Sequence, residues 1–519
     1  MSTVPINTCV WLFVAIAGNL GAAVQTQAGT ASSNLPRYRL NPGQELTYRL
    51  ESTDRSADGK TGFTSELTAN CWVTRLNENG GWHMIMLQST SMSQIYDGKP
   101  LPRGEPDVAV FAFDLYPDGR LEQDASAGPR AHPGMFFPAL PAAQVAKGSW
   151  SRAESMGRTA RYQLAPATRP GECVFRATYD DPLKEIYLTT QEIVYHFDAN
   201  RGLVTEAQIS SSQDYGFHTK GTGTIQLVDV QQQDKTQTEQ VASDAAIYFQ
   251  ATKAYEAAVE AATENPATLE QALADAGAAL KAAADKVKLP AIRRPLDDML
   301  KRQDQRIRYE LENARDRAAV LDKPAPDWTT TDLSGKTHSL KDYRGKILVM
   351  DFWYRGCGWC MYAMPQVKQL AAHFKDKPVV VLGMNTDQDE NDARLVVEKM
   401  GLTYPTLKAG GLPEQYKVRG FPTLIVVDGQ GLVRDVHLGY SPHLYDEVSR
   451  KIESLLKEPA RPRRTPEAPA SGSSGAPSSL PARPPASASQ AEAEDDQASQ
   501  AGSIAEQEDQ QGGQVGRGL

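Results

Sequence analysis

The sequence is poor in what several large functional classes require. Basic residues do not predominate: 55 Lys and Arg stand against 64 Asp and Glu, a formal net charge of −9. That balance leaves no electrostatic footprint for a phosphate backbone, so no nucleic-acid partner is expected. Long hydrophobic runs are missing apart from one near the N-terminus, which excludes a polytopic membrane protein. That run, Cys9 to Leu20, has about twelve residues, too few to span a bilayer comfortably. Small residues follow it, in Gly21-Ala22-Ala23 and Gln27-Ala28-Gly29. Residues 1–28 therefore read as a secretory signal peptide, although its n-region has no Lys or Arg. A buried first strand or an uncleaved anchor is the alternative reading. No Leu-x-x-Cys box precedes Cys9, so a lipoprotein is not expected. The expectation is export to the periplasm, cell envelope or extracellular space, with no transmembrane span in the mature chain.

Cysteine is also scarce, with five in 519 residues. Cys9 lies in the signal, which leaves Cys71, Cys173, Cys357 and Cys360. An even number in an exported chain permits two disulfides. Cys357 and Cys360 form the close pair, and a structural Cys71–Cys173 disulfide is then expected if their strands are neighbours. Two separate buried thiols are the other reading. The apolar fraction is low, at 40%, while Pro (33) and Gly (40) are plentiful, so part of the chain is expected to be unpacked. The length suggests about three modules.

Residues 35–235 read as a β-rich domain. Glu45 to Leu50, Leu67 to Leu76, Trp82 to Gln88, Val108 to Leu115, Ile186 to Phe197 and Leu203 to Ile209 alternate or are rich in Val, Ile, Tyr, Phe and Thr. Turn signals such as Asp58-Gly59, Asn79-Gly80-Gly81 and Asn200-Arg201-Gly202 separate them. An all-β antiparallel sandwich or half-barrel follows, with a Pro-rich irregular loop at Pro129 to Pro141. Phe113-Asp114 and Phe197-Asp198 each lead into a Gly-containing corner, a weak internal repeat. Residues 241–321 are rich in Ala, Glu, Lys and Arg and read as an α-helical segment of about three helices, punctuated by Pro266, Pro290 and Pro295. In the last, Leu296, Leu300, Gln303, Ile307, Leu311, Ala314, Ala318 and Leu321 form one apolar stripe. It packs within its own hairpin or forms a helix-mediated dimer. Residues 322–457 turn α/β, with buried-strand runs at Ile347 to Phe352 and Val379 to Met384 and a hairpin at Asp428-Gly429. Residues 458–519 keep too few large apolar side chains to fold and read as a disordered tail.

The chemistry concentrates in Cys357-Gly358-Trp359-Cys360, placed after a buried strand and at the start of a predicted helix. Unpaired N–H groups and partial positive charge at a helix N-terminus stabilise a thiolate. Cys357 is therefore expected to be the exposed, low-pKa nucleophile and Cys360 the shielded resolving thiol. No second Cys-x-x-Cys or clustered His completes a zinc site, and no cofactor beyond the cysteine pair is expected.

Several motifs around this pair, in order, resemble the TlpA/ResA-like branch of the thioredoxin superfamily. Pro324-Ala325-Pro326-Asp327 and Asp332-Leu333-Ser334-Gly335-Lys336 resemble its opening, and Val349 to Cys360 its strand and active-site loop. Pro365 matches the helix-kinking proline, Val418 to Thr423 the cis-proline loop, and Val426 to Gly431 the late hairpin. The resemblance covers residues 322–457 and implies a C-terminal α/β thioredoxin-like fold. It implies that Asp351 is the buried acid relaying the resolving cysteine's proton, with a water-exposed strand-end Asp the bland alternative. It also implies that Pro422 is cis and that Phe421, Pro422 and Trp359 meet the substrate. Two departures stand out: Trp359 replaces the usual proline before the second cysteine, and Ala363 replaces a common glutamate. They leave cytochrome c maturation unassigned and the reduction potential open. Peroxiredoxin chemistry is not expected, because Tyr354 occupies the threonine position of a Thr-x-x-Cys site.

The leading expectation is an exported thiol–disulfide oxidoreductase acting on protein thiols and disulfides, together with a redox partner. The alternative is a ligand- or protein-binding scaffold whose β domain does the recognition and whose thioredoxin-like domain is accessory.

Overall fold

A computed structural model describes residues 35–123, 133–154, 158–167, 169–187, 189–214, 218–263 and 267–458. The signal segment and the tail beyond Glu458 lie outside the described residues.

The first half builds one antiparallel sheet. Its strands are β1 (Gln44–Ser56), β2 (Gly62–Leu76), β3 (Trp82–Tyr96), β4 (Lys99–Pro100), β5 (Asp107–Leu115), β6 (Leu121–Glu122), β7 (Ser149–Ala153), β8 (Thr159–Ala165), β9 (Glu172–Asp180), β10 (Thr190–Asp198), β11 (Leu203–Asp214) and β12 (His218–Gln232). They lie in the order β6-β5-β3-β2-β1-β12-β11-β10-β9-β8-β7, with β4 on β3. A single continuous sheet corrects the sandwich alternative.

Its curvature follows from ring contacts. In a flat sheet β5 and β10 would lie roughly 29 Å apart, six strand spacings. Yet Phe113 of β5 meets Phe137 at 5.9 Å, Phe137 meets Tyr38 at 5.8 Å, and Tyr38 meets Phe197 of β10 at 5.4 Å. Two rings bridge the gap, so the sheet curls into a half-barrel around residues 133–140. That stretch was expected to be an irregular loop. From Pro133 onward it fills the concave core instead, with Phe136 and Phe137 buried. Tyr38 and Trp150 bind it by donating to the Pro138 and Ala139 carbonyls, at 3.0 and 2.8 Å.

β3 shows why its sequence reads as a continuous apolar run. Met84 and Met86 face the concave core, while Ile85 and Leu87 alternate to the outer face beneath a helical layer. Four helices form that layer rather than about three: α3 (Lys235–Thr263), α4 (Leu269–Ala284), α5 (Pro290–Lys301) and α6 (Gln303–Val320). Two one-turn helices precede them in the β domain, α1 (Ala142–Val145) and α2 (Lys184–Tyr187). The apolar stripe of the last predicted helix is split between α5 and α6. Gln303 holds the junction: it accepts from the Tyr255 hydroxyl at 2.5 Å and donates to the Leu273 carbonyl at 2.7 Å. Leu296, Leu300, Ile307 and Leu311 of the stripe pack into the helical layer's own core.

Beyond α6, β13 (Thr329–Thr331) and β14 (Thr337–Ser339) form a hairpin. Then follow β15 (Ile347–Trp353), α7 (Gly358–His373), β16 (Val379–Asn385), α8 (Glu390–Met400), β17 (Thr406–Lys408), α9 (Leu412–Gln415), β18 (Thr423–Val427), β19 (Val433–Leu438) and α10 (Leu444–Lys457). The sheet order is β17-β16-β15-β18-β19, parallel among the first three and antiparallel thereafter. β15 is central and buried throughout. Leu348, Met350 and Phe352 enter one core and Ile347 and Val349 the other. Strand and helix cover both faces of the strand, so apolar residues are favoured at successive positions.

Candidate functional site

β15 delivers the chain to the site and α7 carries it away. Cys357 is the N-cap of α7, and its Sγ accepts a hydrogen bond from the Cys360 N–H at 3.1 Å. The two cysteines form a disulfide, with Cα atoms 5.3 Å apart. When the bond is reduced, the same N–H and the helix N-terminus favour negative charge on the Cys357 sulfur. Pro365 lies inside α7, where its missing N–H leaves the Met361 carbonyl without its usual helical donor.

Cys360 is shielded, as expected, at 1% exposure. Cys357 is not the exposed thiol the motif suggested; only 7% of it is accessible. Residues of the β domain pack into the same cluster. Leu183, Ile186 and Tyr187 share one apolar cluster with Cys357, Cys360, Met361 and Met364. The Tyr187 hydroxyl donates to the Arg355 carbonyl at 3.0 Å. Arg355 answers with Nη2, which donates to the carbonyls of Ile186 (3.0 Å) and Asp214 (3.1 Å), while Nη1 binds Asp392 of α8 at 2.7 Å. The Arg355 backbone N–H is held by Asp387 at 2.9 Å. Ile186 and Tyr187, expected to begin a strand, form α2 instead. Asp181 accepts the Leu183 N–H at 2.8 Å, and this Asx turn, followed by Pro182, starts a helical turn despite the β-branched and aromatic pattern.

Asp351 is buried on β15 at 1% exposure, so it is not a water-exposed strand end. Its Oδ1 has no hydrogen-bond partner among the described residues. Desolvation pushes its carboxyl up to about 7. The Phe421–Pro422 peptide is cis. Phe421 packs against the cysteine cluster and meets Tyr354 edge-on at 5.2 Å. Trp359 is half-buried and stacks on Tyr440 at 5.3 Å. Arg419, two residues before Phe421, pairs with Glu312 (2.7 Å) and Asp316 of α6, tying this loop to the helical layer. The structure thus gathers Cys357, Cys360, Trp359 and Phe421 into one cluster.

The other expected cysteine pair is not formed. Cys71 and Cys173 are free thiols. Cys71 is on β2 and Cys173 on β9, with β1, β12, β11 and β10 between them, so their Cα atoms cannot meet the roughly 7 Å limit for a bridge across neighbouring strands. Arg355, Leu183 and Tyr187 were missed by sequence reasoning. Arg355 adjoined the motif, but nothing local marks residues more than a hundred positions upstream as its partners.

A Cys-x-x-Cys disulfide at the junction of a central strand and a helix, on a β-β-β-α-β-α-β-α-β-β-α domain, defines a thioredoxin-like thiol–disulfide oxidoreductase. Residues 321–436 match the model of the AhpC/TSA family. Over 140 residues the chain is 30% identical to the thiol-disulfide oxidoreductase ResA of Geobacillus kaustophilus, covering 27% of this chain and 79% of that protein. It is 33% identical over 118 residues to the thioredoxin-like protein YneN of Bacillus subtilis, covering 22% of this chain and 69% of that one. The solved thioredoxin domain of a thiol-disulfide oxidoreductase from Bacteroides vulgatus is 30% identical and covers 26% of this chain and 98% of that domain, with a TM-score of 0.24. Through its C-terminal domain the chain belongs to the ResA-like thiol–disulfide oxidoreductases of the thioredoxin superfamily.

Proposed function

We propose that this is an exported oxidoreductase that exchanges disulfides with partner proteins through Cys357-Gly358-Trp359-Cys360, in the periplasm, cell envelope or extracellular space. The observation carrying this reading is the Cys357 sulfur at the N-cap of α7, bonded to Cys360 and accepting its N–H. In the reducing direction the Cys357 thiolate attacks one sulfur of a partner disulfide. The partner's S–S bond breaks, one partner thiolate leaves, and a mixed disulfide forms. Cys360 then loses its proton to the Asp351 carboxylate and attacks the Cys357 sulfur, releasing the second partner thiolate. Two electrons pass to the partner, and Cys357 and Cys360 end as a disulfide. The reverse sequence oxidises a partner dithiol, and the reduction potential decides the net direction. Phe421, Pro422 and Trp359 flank Cys357 as the surface that meets the substrate. No described helix is long and apolar enough to cross a membrane.

Dithiol-dependent reduction of insulin by the full chain tests the reading, with Cys357→Ser as control. The wild-type chain should accelerate insulin reduction over the dithiol alone and Cys357→Ser should not. Equal rates for both would sink it.

A further inference from the structure

We propose that the Asp181–Tyr187 segment of the β domain is an autoinhibitory cap over the redox disulfide, latched through Arg355, and that Cys357 becomes open to attack only when this cap lifts. The proposal rests on the oxidoreductase reading above and adds its regulation.

An incoming thiolate must approach the Cys357 sulfur along the S–S axis, yet Cys357 is 7% exposed and Cys360 1%. The cover is not made only of the residues that would bind substrate. Leu183, Ile186 and Tyr187, exposed by 5%, 1% and 3%, come from the β9–β10 connection of the other domain and share the cluster of both cysteines. Their attachment is polar and reciprocal. Arg355, two residues before Cys357, uses Nη2 on the Ile186 and Asp214 carbonyls, and its own carbonyl receives the Tyr187 hydroxyl. Arg355 is 8% exposed, and its Nη2 also lies 3.6 Å from the Asp214 carboxylate. The same guanidinium remains bound to Asp392 of its own domain, so its position is held on the active-site side when the cap leaves. At the edge the seam is loose. Lys399 of α8 reaches Glu185 only at 3.6 Å, and an open hollow of about 320 Å³, with Glu185, Ile186 and Lys399 in its lining, lies beside it. A polar latch at Arg355 and a long ion pair at the outer edge suit a segment that lifts away as the Arg355 bonds to Ile186, Asp214 and Tyr187 break.

The test reads how fast the existing disulfide in the full chain is opened by dithiothreitol. One thiolate of the reagent attacks the Cys357 sulfur and breaks the Cys357–Cys360 bond. Its second thiol then closes the reagent's ring, leaving two protein thiols and one oxidised reagent. Samples are quenched with acid, alkylated and mapped by mass. Ile186→Asp, which places an unpaired charge in the seam, should accelerate opening by about tenfold or more. Tyr187→Phe, which removes the hydroxyl bond to the Arg355 carbonyl, should accelerate it by roughly threefold. Maleimide labelling of the buried free thiol Cys71, without reductant, reports global opening and should be unchanged. Wild-type rates in both variants overturn the cap. If Ile186→Asp also exposes Cys71, Tyr187→Phe decides alone, and a wild-type rate there overturns the proposal. Insulin turnover plays no part in this readout. A chain that fails to reduce insulin but shows the cap effect loses only the oxidoreductase reading.

Discussion

In the proposed exchange Asp351 would couple the chemistry of the site to the stability of the domain. Its carboxyl titrates near 7 because burial on β15 removes water from it without supplying a partner for Oδ1. A carboxylate of that pKa takes a proton from Cys360 more readily as the pH rises through 7. Release of a mixed disulfide is therefore expected to speed up between pH 6 and 8, and Asp351→Asn should flatten that rise, as measured by stopped-flow decay of the intermediate. The stability consequence has the opposite sense. The native carboxyl keeps its proton up to about 7, whereas the unfolded one loses it near 3.8. Between those values the native state binds more protons, so stability falls as pH rises. At pH 8 the buried charge costs on the order of 4 kcal/mol, and at pH 3 almost nothing. Urea titrations should show Asp351→Asn gaining stability over wild type at pH 8 and little near pH 4. Cys71 and Cys173 supply a second residue-scale check. Burial raises both thiols, Cys173 to about 11, so neither is a ready nucleophile. Mass mapping of the unreduced, denatured chain should find both alkylated and only Cys357 and Cys360 linked.

At the scale of elements, the segment at 133–140 replaces the second sheet that a sandwich would have used. Phe137 is fully buried and touches Tyr38, Tyr48 and Phe113. Phe137→Ala should cost about 3–5 kcal/mol in chemical unfolding of the β domain, because rings from distant strands cannot collapse into the hole together. The thioredoxin-like half was legible in the sequence because its signals are local. β15 is a fully buried run, Asp428-Gly429 begins the turn between β18 and β19, and the Cys-x-x-Cys lies where strand gives way to helix. The β domain was less so. Near its start β12 reads Thr-Lys-Gly-Thr-Gly-Thr, where two glycines interrupt the strand signal, yet a Cβ at Gly221 would strike the Asp54 and Ser211 side chains. In α2 an Asx turn outweighed Ile186 and Tyr187. The break between α5 and α6 is invisible in an unbroken apolar stripe, since Gln303 is fixed by contacts with α3 and α4 rather than by its neighbours in sequence.

At the scale of the whole molecule, the β domain and its helices are not spectators to the redox centre. Arg419 ties the loop of Phe421 to α6, and Arg355 ties the loop of Cys357 to the β domain. Both loops that border the disulfide are thus anchored outside the thioredoxin-like fold, a feature no motif in residues 322–457 announces. In the proposed exchange Cys357 is the sulfur that exchanges and Cys360 the one that resolves. The full chain carrying Cys360→Ser, incubated with insulin and examined by non-reducing mass spectrometry, addresses this claim directly. The expected result is a one-to-one adduct joining Cys357 to an insulin chain, released by dithiothreitol and absent from the Cys357→Ser chain. Adduct formation through any other cysteine, or none from a folded Cys360→Ser chain, would contradict the claim.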